Sequence, residues 1–188
     1  MSKKLRGKAR ARNSKKKNRI RKTKDKQRLK ALSNKILKYY APELHRISKT
    51  IIEGEDLSFI DELKKVLSAH SNGVGLSAPQ IGINKRVIIF DAQKSGKYKI
   101  MINPEIIEMS EENKIDSEGC LSYPNFYTLI ERAKNIKVKY LTKDFKECID
   151  NYVDFEARIV QHEIDHLFGE CLVGDAWEKK QERRSNLL

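Results

Sequence analysis

The chain has 188 residues, of which 39% are hydrophobic and 35% charged, and its formal net charge is +13. That length and balance suit a single domain with a sizeable core. No run approaches the roughly 18 apolar residues of a membrane span, and none follows the basic start as in a signal peptide, so a cytoplasmic protein is expected, with an organellar matrix as the alternative.

The charge sits almost entirely at the start. Residues 1–30 hold 16 Lys/Arg against one acid, Asp25, for +15, while the remainder carries 23 basic and 25 acidic residues, a net of −2. With few apolar side chains to offset the entropy of ordering, residues 1–32 are expected to form a disordered basic arm. Like charges at this density favour a counter-charge, so RNA or the ribosome is the expected partner of the arm and no membrane is; a solvated, solubilising tail is the plainer alternative.

From residue 33 the pattern turns globular, and a folded domain is expected over 33–178, followed by a short charged tail at 179–188. In DLSFIDELKKVLSAH, Leu57, Ile60, Leu63, Val66 and Leu67 recur at helical spacing. Ser58 and Asp61 stand at capping-box spacing and Asn72-Gly73 supplies a stop. RVIIF and KIMI read as strands, and NIKVKYL alternates Ile136, Val138 and Tyr140 with lysines, the period of a half-buried strand.

The segment DFEARIVQHEIDHLFG predicts a helix with Asp154 as N-cap and Gly169 as stop. Phe155, Ile159, His162 and His166 share one side and Val160, Ile164 and Leu167 another, so this helix should be enclosed by sheet. His162 and His166, four apart, stack on one face and can offer imidazole nitrogens to a single metal ion. Glu163 is rotated aside, where it serves as a general base. The plainer reading is a helix with two satisfied core histidines.

A catalytic site of this kind wants a third protein ligand. Downstream stand only acids, Glu170, Asp175, Glu178 and Glu182; upstream, EGCLSYP offers Cys120. The three cysteines, Cys120, Cys148 and Cys171, are odd in number and widely spaced, which argues against a disulfide framework. Cys148, Cys171, Trp177 and the Tyr39-Tyr40 pair are expected to be packing residues. In GVGLSAPQIG the glycines permit close backbone approach and Gln80 offers an amide donor, although alone the stretch would be a plain helix-to-strand turn.

Taken in order, GVGLSAPQ, EGCLS and QHEIDHL resemble the three motifs of the peptide deformylase family. The likeness extends to ILKYYAPELHRISKTI, MINPEI, Arg132 and LFGECL and covers roughly residues 35–178. It implies an α+β fold in which mixed or antiparallel sheets wrap a central metal-binding helix. It also implies hydrolytic removal of the formyl group from the N-terminal formyl-methionine of nascent polypeptides, with release of formate. By that resemblance Cys120, His162 and His166 hold one divalent metal ion, with Fe2+ favoured and Zn2+, Ni2+ or Co2+ as alternatives. Glu163 moves the proton, and Gln80 with the backbone N–H of Leu121 binds the developing oxyanion. Gly75 lies along the extended substrate, and Val74, Phe155, Arg158 and His162 build the methionine pocket, Arg158 through its aliphatic stem. Arg132 pairs with Asp165 behind the helix.

Two departures from the common pattern stand out. Ser77 replaces the usual small alanine, and the basic arm is not a usual part of the family, whereas the tail after Asp175 is shorter than in some bacterial members. The arm is therefore expected to replace a ribosome contact made elsewhere by a longer tail. The competing functions are an amide hydrolase removing a different acyl group, and an RNA-associated protein with a merely structural metal site.

Overall fold

The computed structural model describes residues 19–171. Residues 19–33 form helix α1, exposed along nearly its whole length. This differs from the expected disorder as far as residue 32; residues 1–18 of the arm and the tail at 179–188, with Trp177, lie outside the described residues. The physical reason for α1 is intrinsic: Lys, Arg, Gln, Leu and Ala are strong helix formers even where no apolar face is buried.

After a 3-10 turn at Pro42–His45, helix α2 spans Phe59–Ser68 and buries Ile60, Leu63, Val66 and Leu67, the face read from its periodicity. Its ends differ from expectation. Ser58 makes no side-chain cap; its N–H and hydroxyl both donate to Asp56, and Asp61 turns to Lys64. The helix closes at Ala69, before the Asn72-Gly73 signal.

Seven strands follow: β1 Gly75–Ser77, β2 Val87–Phe90, β3 Lys99–Met109, β4 Asn113–Cys120, β5 Tyr123–Ala133, β6 Asn135–Leu141 and β7 Glu147–Val153. Helix α3, Asp154–Leu167, closes the described chain. Five strands make one antiparallel sheet in the order β1-β2-β3-β6-β7, and β4 with β5 makes a separate two-stranded antiparallel sheet. The glycine-rich stretch is thus an edge strand followed by a 3-10 turn at Ala78–Ile81, rather than a bare loop.

The two helices cover opposite faces of the large sheet, which explains why VIIF is apolar at every position. Ile88 and Phe90 join the cluster of Ile159, Val160, Ile164 and Leu167 from α3, while Val87 and Ile89 join Ile60, Leu63, Val66 and Leu67 from α2. A strand covered on both sides has no polar face to show. In β6, covered on one side, Ile136, Val138 and Tyr140 are buried and the intervening lysines are half-exposed, as their alternation predicts.

Helix α3 is held between the sheets by polar as well as apolar contacts. Gln161, 2% exposed, accepts from the N–H of Ala133 at 3.2 Å and donates to its carbonyl at 2.9 Å, tying the helix to the end of β5. The helix ends in a Schellman turn: Gly169 takes φ +75°, its N–H donates to His166 O at 3.2 Å, and Glu170 N–H donates to Asp165 O at 3.0 Å. A side chain at 169 would meet the His45 carbonyl carbon at 2.6 Å, so glycine is required there on two counts. Among the described residues, no helix is long and apolar enough to cross a membrane.

Candidate metal centre and active site

Helical spacing sets His162 and His166 one turn apart on α3, with ring centroids 5.0 Å apart and planes at 84°. Strand β4 delivers Cys120 to the same point. One donor atom from each of Cys120, His162 and His166 falls within 4.8 Å of the others, and Cys120 Sγ stands 3.3 Å from His166 Nε2.

The set is built to favour charge on its members. Burial opposes a thiolate at Cys120, yet the His166 and His162 rings, through charge and hydrogen bonds, bring its pKa well below the ordinary thiol value. Two N–H donors point at the same sulfur, Ser122 N and Gln80 Nε2, each at 3.4 Å. Hydrogen bonds that favour the charged form are a recognised cause of such lowering.

Gln80 has its amide orientation dictated from behind. Its Oε1 accepts from Ser77 N at 2.9 Å and Ser77 Oγ at 3.0 Å, so the NH2 must face Cys120 and Ser122 Oγ, the latter at 3.3 Å. Ser77 thereby gains a role that a small-for-small replacement would not suggest: its hydroxyl is a second anchor for Gln80.

Glu118 is the largest omission from the sequence reading. It is 6% exposed and accepts from four donors: Arg132 Nε and Nη2 at 2.9 Å each, Arg158 Nη1 at 2.6 Å, and His162 Nδ1 at 3.0 Å. Burial raises its pKa, but the hydrogen bonds and charge of Arg132 and His162 outweigh that and hold the carboxyl far below the usual range. A carboxylate on Nδ1 leaves His162 Nε2 free to ligate. Strand period was the available signal, since residues 118 and 120 of one strand point to the same side.

The expected pair of Arg132 with Asp165 is present and buried, and Arg132 bridges Asp165 to Glu118. Arg158 turns its guanidinium to Glu118 and to the carbonyls of Ile130 and Lys114, leaving its stem as the part available to the cleft.

Glu163 lies beside the three donors, and its Oε2 is buried with no hydrogen-bond partner among the described residues. Burial pushes this carboxyl up to about 7, against the pull of His162 and His166. An orphaned carboxylate oxygen next to one sulfur and two imidazole nitrogens fits a divalent ion with an open position: three protein ligands are a catalytic count, and the donors suit Fe(II), Co(II), Ni(II) or Zn(II) alike. Gly75 makes room for Glu163, because a Cβ at residue 75 would stand 2.5 Å from its Oε1.

The group opens into a cleft of about 590 Å³. Val74, Gly75, Gln80, Cys120, Leu121, Phe155, Arg158, His162 and Glu163 all line it, so every expected site residue except buried His166 reaches its wall. Phe155 does so as an exposed rim residue. The start of β5 adds Tyr123, Phe126 and Tyr127, which the sequence reading did not place there. Cys148 packs against the α3 core as expected, but Cys171, expected to be plain packing, has its Sγ 3.6 Å from His166 Nδ1. Tyr39 stacks on Tyr123 with ring centroids 4.7 Å apart.

The chain is similar in sequence and fold to known proteins. A model of the polypeptide deformylase family matches residues 33–182. A peptide deformylase of Pseudothermotoga lettingae is 39% identical over 142 residues, which span 76% of this chain and 78% of the relative. The crystal structure of peptide deformylase from Thermotoga maritima superposes with a TM-score of 0.68 at 34% identity, covering 73% of this chain and 92% of that one. A Plasmodium falciparum peptide deformylase structure gives a TM-score of 0.69 at 31% identity, covering 81% and 94%.

Proposed function

Because the chain belongs to the polypeptide deformylase family, we propose that its cleft hydrolyses the formamide at the head of formyl-methionyl nascent peptides, releasing formate. The observation that carries this reading is the buried Oε2 of Glu163, without a hydrogen-bond partner among the described residues, beside Cys120, His162 and His166. A proton acceptor held next to a three-donor ligand set is the equipment of a hydrolase, whereas a structural metal site is normally closed by four protein ligands.

A divalent ion held by Cys120, His162 and His166, Fe2+ by family resemblance, supplies Lewis acidity at neutral pH. Glu163 takes the proton of the attacking water and returns it to the departing amine, as general base and then general acid. Gln80 Nε2, oriented by Ser77, donates to the oxyanion as it develops, with the Leu121 N–H as its partner. The peptide lies extended against β1, whose outer edge is not paired within the sheet, and adds to it as a further strand. The methionine side chain enters between Val74, Phe155, the Arg158 stem and His162.

The arm supplies a second contact, with ribosomal or other RNA in the cytoplasm. Its support is α1, where Arg19, Arg21, Lys22, Lys24, Lys26, Arg28 and Lys30 are exposed against one acid, Asp25.

The test is formate release from a formyl-Met tripeptide by anaerobically prepared protein loaded with Fe(II) or Ni(II), beside Glu163→Ala. Release that vanishes in the variant is expected. Intact, metal-loaded protein that releases nothing would overturn the reading.

A further inference from the structure

The two histidines of α3 are steadied by different chemistry. His162 gives its Nδ1 to Glu118, a carboxylate itself fixed by two arginines. His166 turns Nε2 toward Cys120 Sγ at 3.3 Å, and on the far side of the ring its Nδ1 meets Cys171 Sγ at 3.6 Å, within hydrogen-bond reach for sulfur.

The backbone explains how Cys171 gets there. The Schellman turn at Gly169 reverses the chain at the end of α3 and brings residue 171 back over the last helical turn. Packing of Cys171 against the Cys120 and Tyr123 cluster then holds the returning segment. Tautomer logic supplies the rest. For Nε2 to carry a lone pair toward an ion, the ring proton must reside on Nδ1, and a neutral ring with that proton seeks an acceptor.

We propose that Cys171 is a positioning residue for the metal centre: its sulfur accepts the Nδ1–H of His166 and so holds that ring in the ligating tautomer. The proposal rests on the reading of His166 as a metal ligand. A thiol is a weak, polarisable acceptor, so His166 is held more loosely than His162, and the centre has one firm and one compliant imidazole.

The experiment measures Co(II) and Zn(II) affinity by chelator competition for the full chain and its Cys171→Ala, Cys171→Ser and His166→Ala variants. Histidine 15N spectra of the Zn(II) forms report which ring nitrogen carries the proton. Losing an outer partner of a ligand costs about 10- to 100-fold in affinity; for a thiol the lower end is expected in Cys171→Ala, with Cys171→Ser, which keeps an acceptor, recovering most of it. The Nδ1–H signal of His166 should shift or broaden in the alanine variant and persist in the serine variant. Unchanged affinity and spectra in Cys171→Ala, while His166→Ala abolishes binding, would overturn the inference and leave the ligand reading standing. Equal losses in the alanine and serine variants would also overturn it, since they would reflect lost packing alone. Full affinity in His166→Ala would remove the ligand reading and this inference with it.

Discussion

Glu118 and Arg132 meet through two parallel N–H···O bonds of 2.9 Å each, both side chains being 5% exposed or less. The same carboxylate holds Arg158 and His162. One buried charge therefore joins the β4–β5 sheet to α3 and orients His162, a proposed metal ligand. Glu118→Gln should cost about 3–5 kcal/mol, the usual loss when one partner is taken from a buried ion pair. Urea unfolding of the variant measures it, and a loss below about 1 kcal/mol, the range of an exposed pair, would contradict the account.

Gly75→Ala places a methyl where Glu163 Oε1 and Cγ and Ile159 Cγ2 now lie, at 2.5, 2.9 and 2.9 Å. The carboxylate must move, so the variant should lose on the order of 10²-fold in kcat, the lower range of a positioned general base, while still binding metal. Single-turnover formate release read beside metal content distinguishes this from loss of the ion.

Gln80→Leu removes the oriented amide donor and should lower kcat by about 10²- to 10³-fold with a smaller change in KM. Ser77→Ala removes one of the two bonds to Gln80 Oε1 and should act in the same direction with a smaller effect. A Ser77→Ala rate equal to that of the parent would show that the backbone bond alone suffices.

Asp150 sets an acid limit away from the cleft. Hydrogen bonds from Lys99 and Tyr140 keep its carboxyl below the ordinary value, with burial opposing them. Since the folded pKa is the depressed one, the stabilisation is complete above the unfolded value of about 3.9 and is lost as pH falls through the folded one. Asp150→Asn should thus lower the urea midpoint at pH 7, and the difference from the parent should begin to shrink only below about pH 4 and vanish below the depressed folded value. The group is 40% exposed, so solvent screening keeps the difference small.

Deleting residues 2–30 should leave tripeptide turnover unchanged and abolish binding to RNA in fluorescence anisotropy. In the full chain log K should fall linearly with log salt, by about 0.7 per neutralised phosphate on a single strand. A flat salt response would rule out phosphate contact.

The parts of the fold visible in the sequence are those where burial follows a simple period. Helices α2 and α3 and strand β6 each press one apolar face on a core and their residues repeat accordingly, while β2, covered on both sides, reads as an unbroken apolar run. The β4–β5 sheet went unread because its faces are inverted: Glu118 and Arg132 point inward to the site, while Ile115 and Leu129 are 63% and 72% exposed. A polar inner face turned toward α3 erases the pattern that identifies a half-buried strand. The site divides in the same way. His162, Glu163 and His166 were legible because helical spacing is local, whereas Cys120 lies 42 residues before His162, was offered as a candidate by the need for a third donor, and was given its role by resemblance to a known motif. Glu118 meets His162 across 44 residues, with only its two-residue offset from Cys120 on one strand to point to it, and Cys171, five residues past His166, reaches that ring only because the chain turns back at Gly169.

The exposure of α1 has a preparative consequence. A run of basic side chains on an uncovered helix is an open substrate for trypsin, and cleavage after Lys30 would strip all of the +15 held in residues 1–30. The chain would pass from +13 to about −2 in a single cut, exchanging retention on a cation exchanger for retention on an anion exchanger while keeping the whole catalytic cleft.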